Sequence, residues 1–185
     1  MKESYIFLAE GFEEIEAITP IDVLRRAGMM VKTVSVSSSL QVTGAHGVTI
    51  NADFLFEEVN FENPAWLILP GGLPGASNLY EFEPLRELLK EQFESKGGRI
   101  AAICASPAVV LGEMGLLQGR EATCYPGFEG KMKGADSTGK RVVRDDKFVL
   151  GAGPAIALEW ALAIAEEEKG EKIAEEVASG MLLRL

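Results

Sequence analysis

Three stretches carry residues able to do chemistry together. In Arg99-Ile100-Ala101-Ala102-Ile103-Cys104-Ala105-Ser106-Pro107, a short apolar run after Gly97-Gly98 reads as a buried strand, and Pro107 opens a helix. Cys104 stands at the join. A thiol there lies near unpaired backbone N–H groups and the positive end of a helix, and both favour thiolate. The competing reading is a structural cysteine, since free thiols are among the most buried side chains. Glu13, Glu14 and Glu16 follow the first apolar run. Glu13 and Glu14 read as exposed acids complementing a helix N-terminus. Glu16, between Ile15 and Ile18, reads as partly buried and therefore protonated, able to hydrogen-bond the Cys104 sulfur. In Gly71-Gly72-Leu73-Pro74-Gly75 the ending of a phosphate-binding P-loop is missing, but two glycines let backbone N–H groups approach a developing oxyanion.

The remaining polar candidates weigh less. His46 is the sole histidine and falls in a hairpin turn, which suggests a surface residue rather than a base. No His/Cys/Asp cluster shows metal-ligand spacing, so neither a metal nor another cofactor is expected. Cys124 reads as a strand residue, and without a CxxC pair no disulfide chemistry is signalled.

The elements that must position these groups alternate. Tyr5 to Ala9 reads as a strand. A helix follows from Glu13, bent at Pro20 and ended by Arg25-Arg26-Ala27-Gly28. Val31 to Val36 is a strand, and Leu40 to Thr43 with Val48 to Ile50 forms a peripheral hairpin. Trp66 to Leu69 is a buried parallel strand closed by Pro70-Gly71-Gly72, with a helix from Leu85 to Lys96. Ala122 to Cys124, Arg141 to Val143 and Phe148 to Leu150 are further strands, and apolar and charged helices run from Ala155 to Glu168 and Glu171 to Ala178. Such alternation implies an α/β fold with a mostly parallel sheet covered on both faces, in one domain over residues 1–185. In these sheets ligands bind beyond the carboxyl ends of the strands. The loops at Glu10 to Glu16, Gly71 to Gly75, Cys104 to Pro107 and Gly151 to Pro154 are therefore expected to converge.

Composition narrows the partners. The 185 residues carry a formal net charge of -10, which repels nucleic acid backbones and anionic membrane surfaces. The longest apolar run is too short to span a bilayer, and no signal-peptide pattern opens the chain. Two unpaired cysteines suit a reducing cytoplasm.

The stretches 101–107 and 69–72, and Glu13-Glu14-Ile15-Glu16 ahead of Asp22-Val23-Leu24-Arg25-Arg26-Ala27-Gly28, together resemble the ThiJ/PfpI superfamily on its parkinsonism-associated deglycase branch. The likeness covers nearly the whole chain. It implies a flavodoxin-like three-layer sandwich related to class I glutamine amidotransferases, Cys104 as nucleophile, Glu16 as its protonated partner, Gly72 as a backbone donor and a homodimer, which the apolar carboxyl-terminal tail Met181-Leu182-Leu183 also suggests. Gly71, Leu73, Ala105, Tyr125 and Pro154 would then meet the substrate. The implied activity is cofactor-free, glyoxalase- or deglycase-like chemistry on small reactive carbonyls. The alternatives are a redox-sensing or chaperone protein acting through oxidation of Cys104 and, more weakly, an intracellular hydrolase or peptidase. Two positions depart from the family pattern. Ala105 stands where peptidase-type members have His, and Tyr125 where nearer relatives commonly have one. Ala152 also replaces an Arg found in some relatives, removing a contact for anions.

Overall fold

The computed structural model describes residues 2–95 and 97–183. Its central sheet has seven strands in the order β10-β11-β7-β6-β1-β2-β5. These are β1 (Glu3–Leu8), β2 (Met30–Ser35), β5 (Phe54–Leu55), β6 (Trp66–Leu69), β7 (Arg99–Ile103), β10 (Val142–Arg144) and β11 (Phe148–Gly151). All neighbours are parallel except β10, which runs antiparallel to β11 on the edge. Two small ladders lie outside the sheet: β3 (Gln41–Thr43) with β4 (Thr49–Asn51), and β8 (Glu121–Ala122) with β9 (Asp136–Ser137).

Side chains alternate along each strand, so one strand feeds two cores. Ile6 and Leu8 face a core shared with α1 (Glu14–Arg26), α4 (Ala157–Lys169) and α5 (Glu171–Gly180). Tyr5 and Phe7 face the other, shared with α2 (Gly75–Glu81) and α3 (Glu83–Glu94). Because both faces are covered, Trp66 to Leu69 is buried at every position and reads as a continuous apolar run rather than an alternating one. Trp160 of α4 is wholly buried and donates its indole N–H to the carbonyl of Val149 at 2.9 Å, which locks that helix onto β11.

Register sets the site. Ile6 is opposite Ile68, Leu69 opposite Ala102, and Gly151 opposite Ile103, so β1, β6, β7 and β11 end side by side. α1 runs on through Pro20, which has no N–H to give the carbonyl of Glu16. Between Leu69 and α3 the chain forms an additional short helix, α2, which sequence periodicity does not reveal. Leu182 is 87% exposed, and Leu183 borders a groove beside α4 and α5. Lys96, at the expected end of α3, and Arg184 and Leu185 of the apolar tail lie outside the described residues. Among the described residues no helix is long and apolar enough to cross a membrane.

Candidate active site

Cys104 follows the last residue of β7 with φ at +64°, a left-handed conformation that a β-carbon disfavours. Its neighbours on both sides hold it there. Its N–H donates to the Gly151 carbonyl at 2.9 Å, and its carbonyl accepts from the Tyr125 N–H at 2.7 Å. Such a residue costs of order 1–3 kcal/mol and persists only where the surroundings over-determine it. The turn then drops Ser106 inward, where its hydroxyl donates to the Pro70 carbonyl at 2.6 Å and ties this loop to the one after β6. The helix beyond is not the regular one expected. It spans Pro107–Gly112 and is wound as a π-helix, continued by an i→i+5 bond from Glu113 N–H to the Ala108 carbonyl. Six residues make a weaker dipole than a full α-helix.

Glu16 comes from the first turn of α1 and is wholly buried. Glu13 caps this helix, its Oε2 accepting from the Glu16 N–H at 2.8 Å. The Glu16 carboxylate oxygen Oε2 accepts from the Gly71 N–H at 2.9 Å, and the Cys104 thiol bears on the same carboxyl, while the buried Oε1 meets the geometry of a hydrogen bond with none of the described residues. A β-carbon on Gly71 would lie 2.7 Å from both the Cys104 Cβ and the Glu16 Oε2, and 2.9 Å from the Ile103 carbonyl oxygen. Only glycine fits between the thiol and the carboxyl. Gly72, with φ at +88°, is likewise hemmed in by the backbone of Gly11 and Glu13, and its N–H bears on the Cys104 sulfur together with that of Ala105.

Burial pushes the Glu16 carboxyl up to about 7, the repulsion of Glu13 adding to it and the bonds from Cys104 and Gly71 opposing it. The thiol also moves up rather than down. Burial is the first cause, the charge of Glu16 and its hydrogen bond the next, and together they push Cys104 up to about 12 against the pull of the Gly72 and Ala105 N–H groups. The expected thiolate bias of a helix N-terminus is thus outweighed. Desolvation and an adjacent carboxylate outweigh the two backbone N–H groups that bear on the sulfur. The like charge vanishes once Glu16 holds a proton, so thiol and carboxyl form a pair that shares one proton.

Glu13 and Glu14 are not exposed acids: they are 9% and 7% exposed. Nor is the β3–β4 hairpin peripheral. Glu14 Oε1 accepts from the backbone N–H of His46 at 2.7 Å and of Val48 at 3.3 Å, and its Oε2 meets His46 Nδ1 at 2.8 Å. The Gly11 N–H donates to the Thr43 carbonyl and the Ala45 N–H to the Phe12 carbonyl, so the hairpin walls the loop that carries the acids. His46 itself is at the surface, as expected. The donor atoms of Glu13, Glu14 and His46 lie within 4.8 Å of one another. Glu14 and His46 are committed to each other, however, and Glu13 to its cap.

The four strand-end loops meet as expected. The Glu13 N–H donates to the Gly71 carbonyl, the Gly75 N–H to Gly11, and Cys104 bonds to Gly151. Ala105 is buried beside Cys104 and offers only a methyl group. Leu73 and Tyr125 are 49% and 45% exposed, and Pro154 is half-buried. The Tyr125 ring covers Gly153, where a β-carbon would come within 3.3 Å of it, and meets Phe128 edge-on with centroids 6.4 Å apart. Cys124 falls in the loop after β8 rather than in a strand. It is buried, its Sγ lies 3.4 Å from the Tyr125 carbonyl oxygen, and burial followed by the charge of Glu129 pushes it up to about 11. Sequence reasoning missed the roles of Glu13, Glu14 and Ser106. A capping side chain three residues ahead of Glu16 was the one signal available for the first.

A family model described as the DJ-1/PfpI family matches residues 2–167. The chain belongs to the DJ-1/PfpI family. Within it, the Toxoplasma gondii DJ-1 structure, described as oxidized, superposes with a TM-score of 0.95 at 37% identity over the full length of both chains. A deglycase of Pyrococcus abyssi is 36% identical over 158 residues, which cover 84% of this chain and 92% of that protein. Protein DJ-1 homolog B of Arabidopsis thaliana is 38% identical over 184 residues, 99% of this chain; those residues span only 42% of the plant protein. The parallel sheet with helices on both faces is the DJ-1/PfpI fold that the residue motifs imply.

Proposed function

We propose that this chain is a cofactor-free enzyme that adds the Cys104 thiol to small reactive carbonyls, in the manner of a glyoxalase or deglycase. The observation that carries the reading is the placement of a strained Cys104 between a buried Glu16 carboxyl, pushed up to about 7, and the backbone N–H groups of Gly72 and Ala105. A nucleophile, a proton carrier poised near neutral pH and oxyanion donors then surround one point. The likeness to a protein named deglycase favours the same reading.

With a 2-oxoaldehyde, the Cys104 sulfur attacks the aldehyde carbon and the C=O π bond opens. The oxygen takes the proton the pair shares, delivered by Glu16, and lies against the Gly72 and Ala105 N–H groups as a thiohemiacetal. Glu16, now a carboxylate, removes the proton on that carbon and returns it to the adjacent ketone carbon, while the hydroxyl proton passes to the ketone oxygen. The former aldehyde carbon is thereby oxidised to a thioester and its neighbour reduced to an alcohol. Water then hydrolyses the thioester to a 2-hydroxy acid and restores the thiol. Incubation with methylglyoxal should yield lactate, and Cys104→Ala should lower turnover at least ~10³-fold. Equal lactate from both proteins would remove the reading.

A second reading is favoured by the relative described as oxidized. Cys104 would be carried by peroxide to a sulfinic acid, its oxygens held by the same N–H groups and a protonated Glu16. Mass spectrometry after mild peroxide distinguishes it, since modification confined to Cys124 or methionine counts against it. In either reading the protein acts as a homodimer and takes a small molecule rather than nucleic acid.

A further inference from the structure

Two exposed residues next to the groups that hold the thiol are apolar or aromatic, and the charges that bear on the thiol are acidic. Leu73 leaves the Gly72 loop on one side, and Tyr125 stands on the other, its backbone bonded to the Cys104 carbonyl and its ring laid over Gly153. The charge acting on Cys104 is that of Glu16, and the charge acting on Glu16 is that of Glu13. His46, beside these acids, is engaged by Glu14. Arg141, the base whose backbone carbonyl holds the 151–154 loop through Ala152 N–H, turns its side chain to Glu159 at 2.7 Å. A carboxylate entering such a site meets like charge in a desolvated setting, and the Arg141 fork that could receive it is turned to Glu159. An aromatic ring entering it finds Tyr125 and Phe128 to stack on.

From this we infer that Tyr125 and Leu73 select uncharged 2-oxoaldehydes bearing an aryl or branched apolar substituent, and that the acids around Cys104 exclude oxoacids. The inference rests on the carbonyl-adding reading above and names its substrate class. It concerns the first bond: the Cys104 sulfur joins the aldehyde carbon, the C=O π bond becomes a hydroxyl, and the thiol proton ends on that oxygen, with no oxidant or reductant needed.

The experiment measures that adduct rather than turnover. Phenylglyoxal, methylglyoxal and glyoxylate, each ¹³C-labelled at the aldehyde carbon, are titrated separately into Cys124→Ser protein. The thiohemiacetal signal is read by NMR against a Cys104→Ala control. Each affinity is divided by that of the same carbonyl for free mercaptoethanol, which cancels intrinsic electrophilicity. The corrected affinity for phenylglyoxal is expected to exceed that for methylglyoxal about fivefold, the size of one aromatic contact, and that for glyoxylate about tenfold or more. Tyr125→Ala should bring the phenylglyoxal-to-methylglyoxal ratio to near one, and Tyr125→Phe should restore it. Adducts of equal corrected strength with all three carbonyls, or a ratio that survives Tyr125→Ala, would overturn the selectivity and leave the carbonyl reading standing. No Cys104 adduct with any of them would overturn both.

Discussion

Ionising Glu16 comes at a cost to the fold. A carboxyl whose ordinary value is 4.5 is pushed up to about 7 in the folded chain, first by burial. Between those values the native state binds more protons than the unfolded one, so the Glu16 contribution to stability is full below pH 4.5 and is lost as pH rises through 7. The shift corresponds to about 3 kcal/mol across that window. Glu16→Gln should therefore flatten the decline, and urea midpoints of both proteins from pH 4.5 to 7.5 would check it. Cys104 carries a second local cost, its left-handed φ. Glycine adopts that conformation freely, so Cys104→Gly should melt higher than Cys104→Ala by the equivalent of roughly 1 kcal/mol, in thermal scans of the two inactive proteins. Both effects belong to single residues, and only their residue types were legible in advance. Glu16 could be read as buried because it sits between two isoleucines, and Cys104 as a strand-to-helix residue from its flanks. The direction of the thiol's shift could not, because it depends on how completely Ala105, Ser106 and the Gly71 loop exclude water.

The β3–β4 hairpin shows what an element-level reading loses. Its turn was legible at Gly44 to Gly47, but its place against α1 rests on one carboxylate making three bonds across more than thirty residues. Burial raises the Glu14 carboxyl, yet its bonds to His46 and Val48 outweigh this and leave it below its ordinary 4.5; the same contact raises His46 above 6.5. The Glu14 contribution is lost as pH falls through its lowered value, and that of His46 as pH rises through its raised one. The hairpin is therefore held best from about pH 4.5 to pH 6.5. Glu14→Ala should cost about 2 kcal/mol, the penalty for stripping a buried acceptor from its donors. Hydrogen exchange should speed up at His46 and Val48 while β6 and β7 stay protected. By contrast, β6 was legible to the residue, because both its faces are buried and four consecutive apolar residues follow directly.

At the scale of the molecule, the homodimer is expected to form on α1 and the hairpin rather than on the carboxyl-terminal tail. Ile15, Ile18 and Val48 are 54%, 43% and 48% exposed; the first two lie on one face of α1, and Val48 is tied to that helix by Glu14. Light scattering at micromolar concentration should give twice the chain mass, and Ile18→Arg should weaken association at least about tenfold, since each buried isoleucine is worth 1.5–3 kcal/mol. The sheet order itself has a consequence in time. Cys104 is held on both sides once its carbonyl has found Tyr125 and its N–H Gly151, the second a partner made roughly fifty residues later in synthesis. At about 5–20 residues per second the nascent thiol waits for about 3–10 s without that strand beside it. During that interval it is an ordinary cysteine titrating near ~8.5 and open to any electrophile in the medium. The position proposed as the nucleophile is therefore least guarded before the chain has folded, and an electrophile present then meets a freer thiol than the folded protein offers.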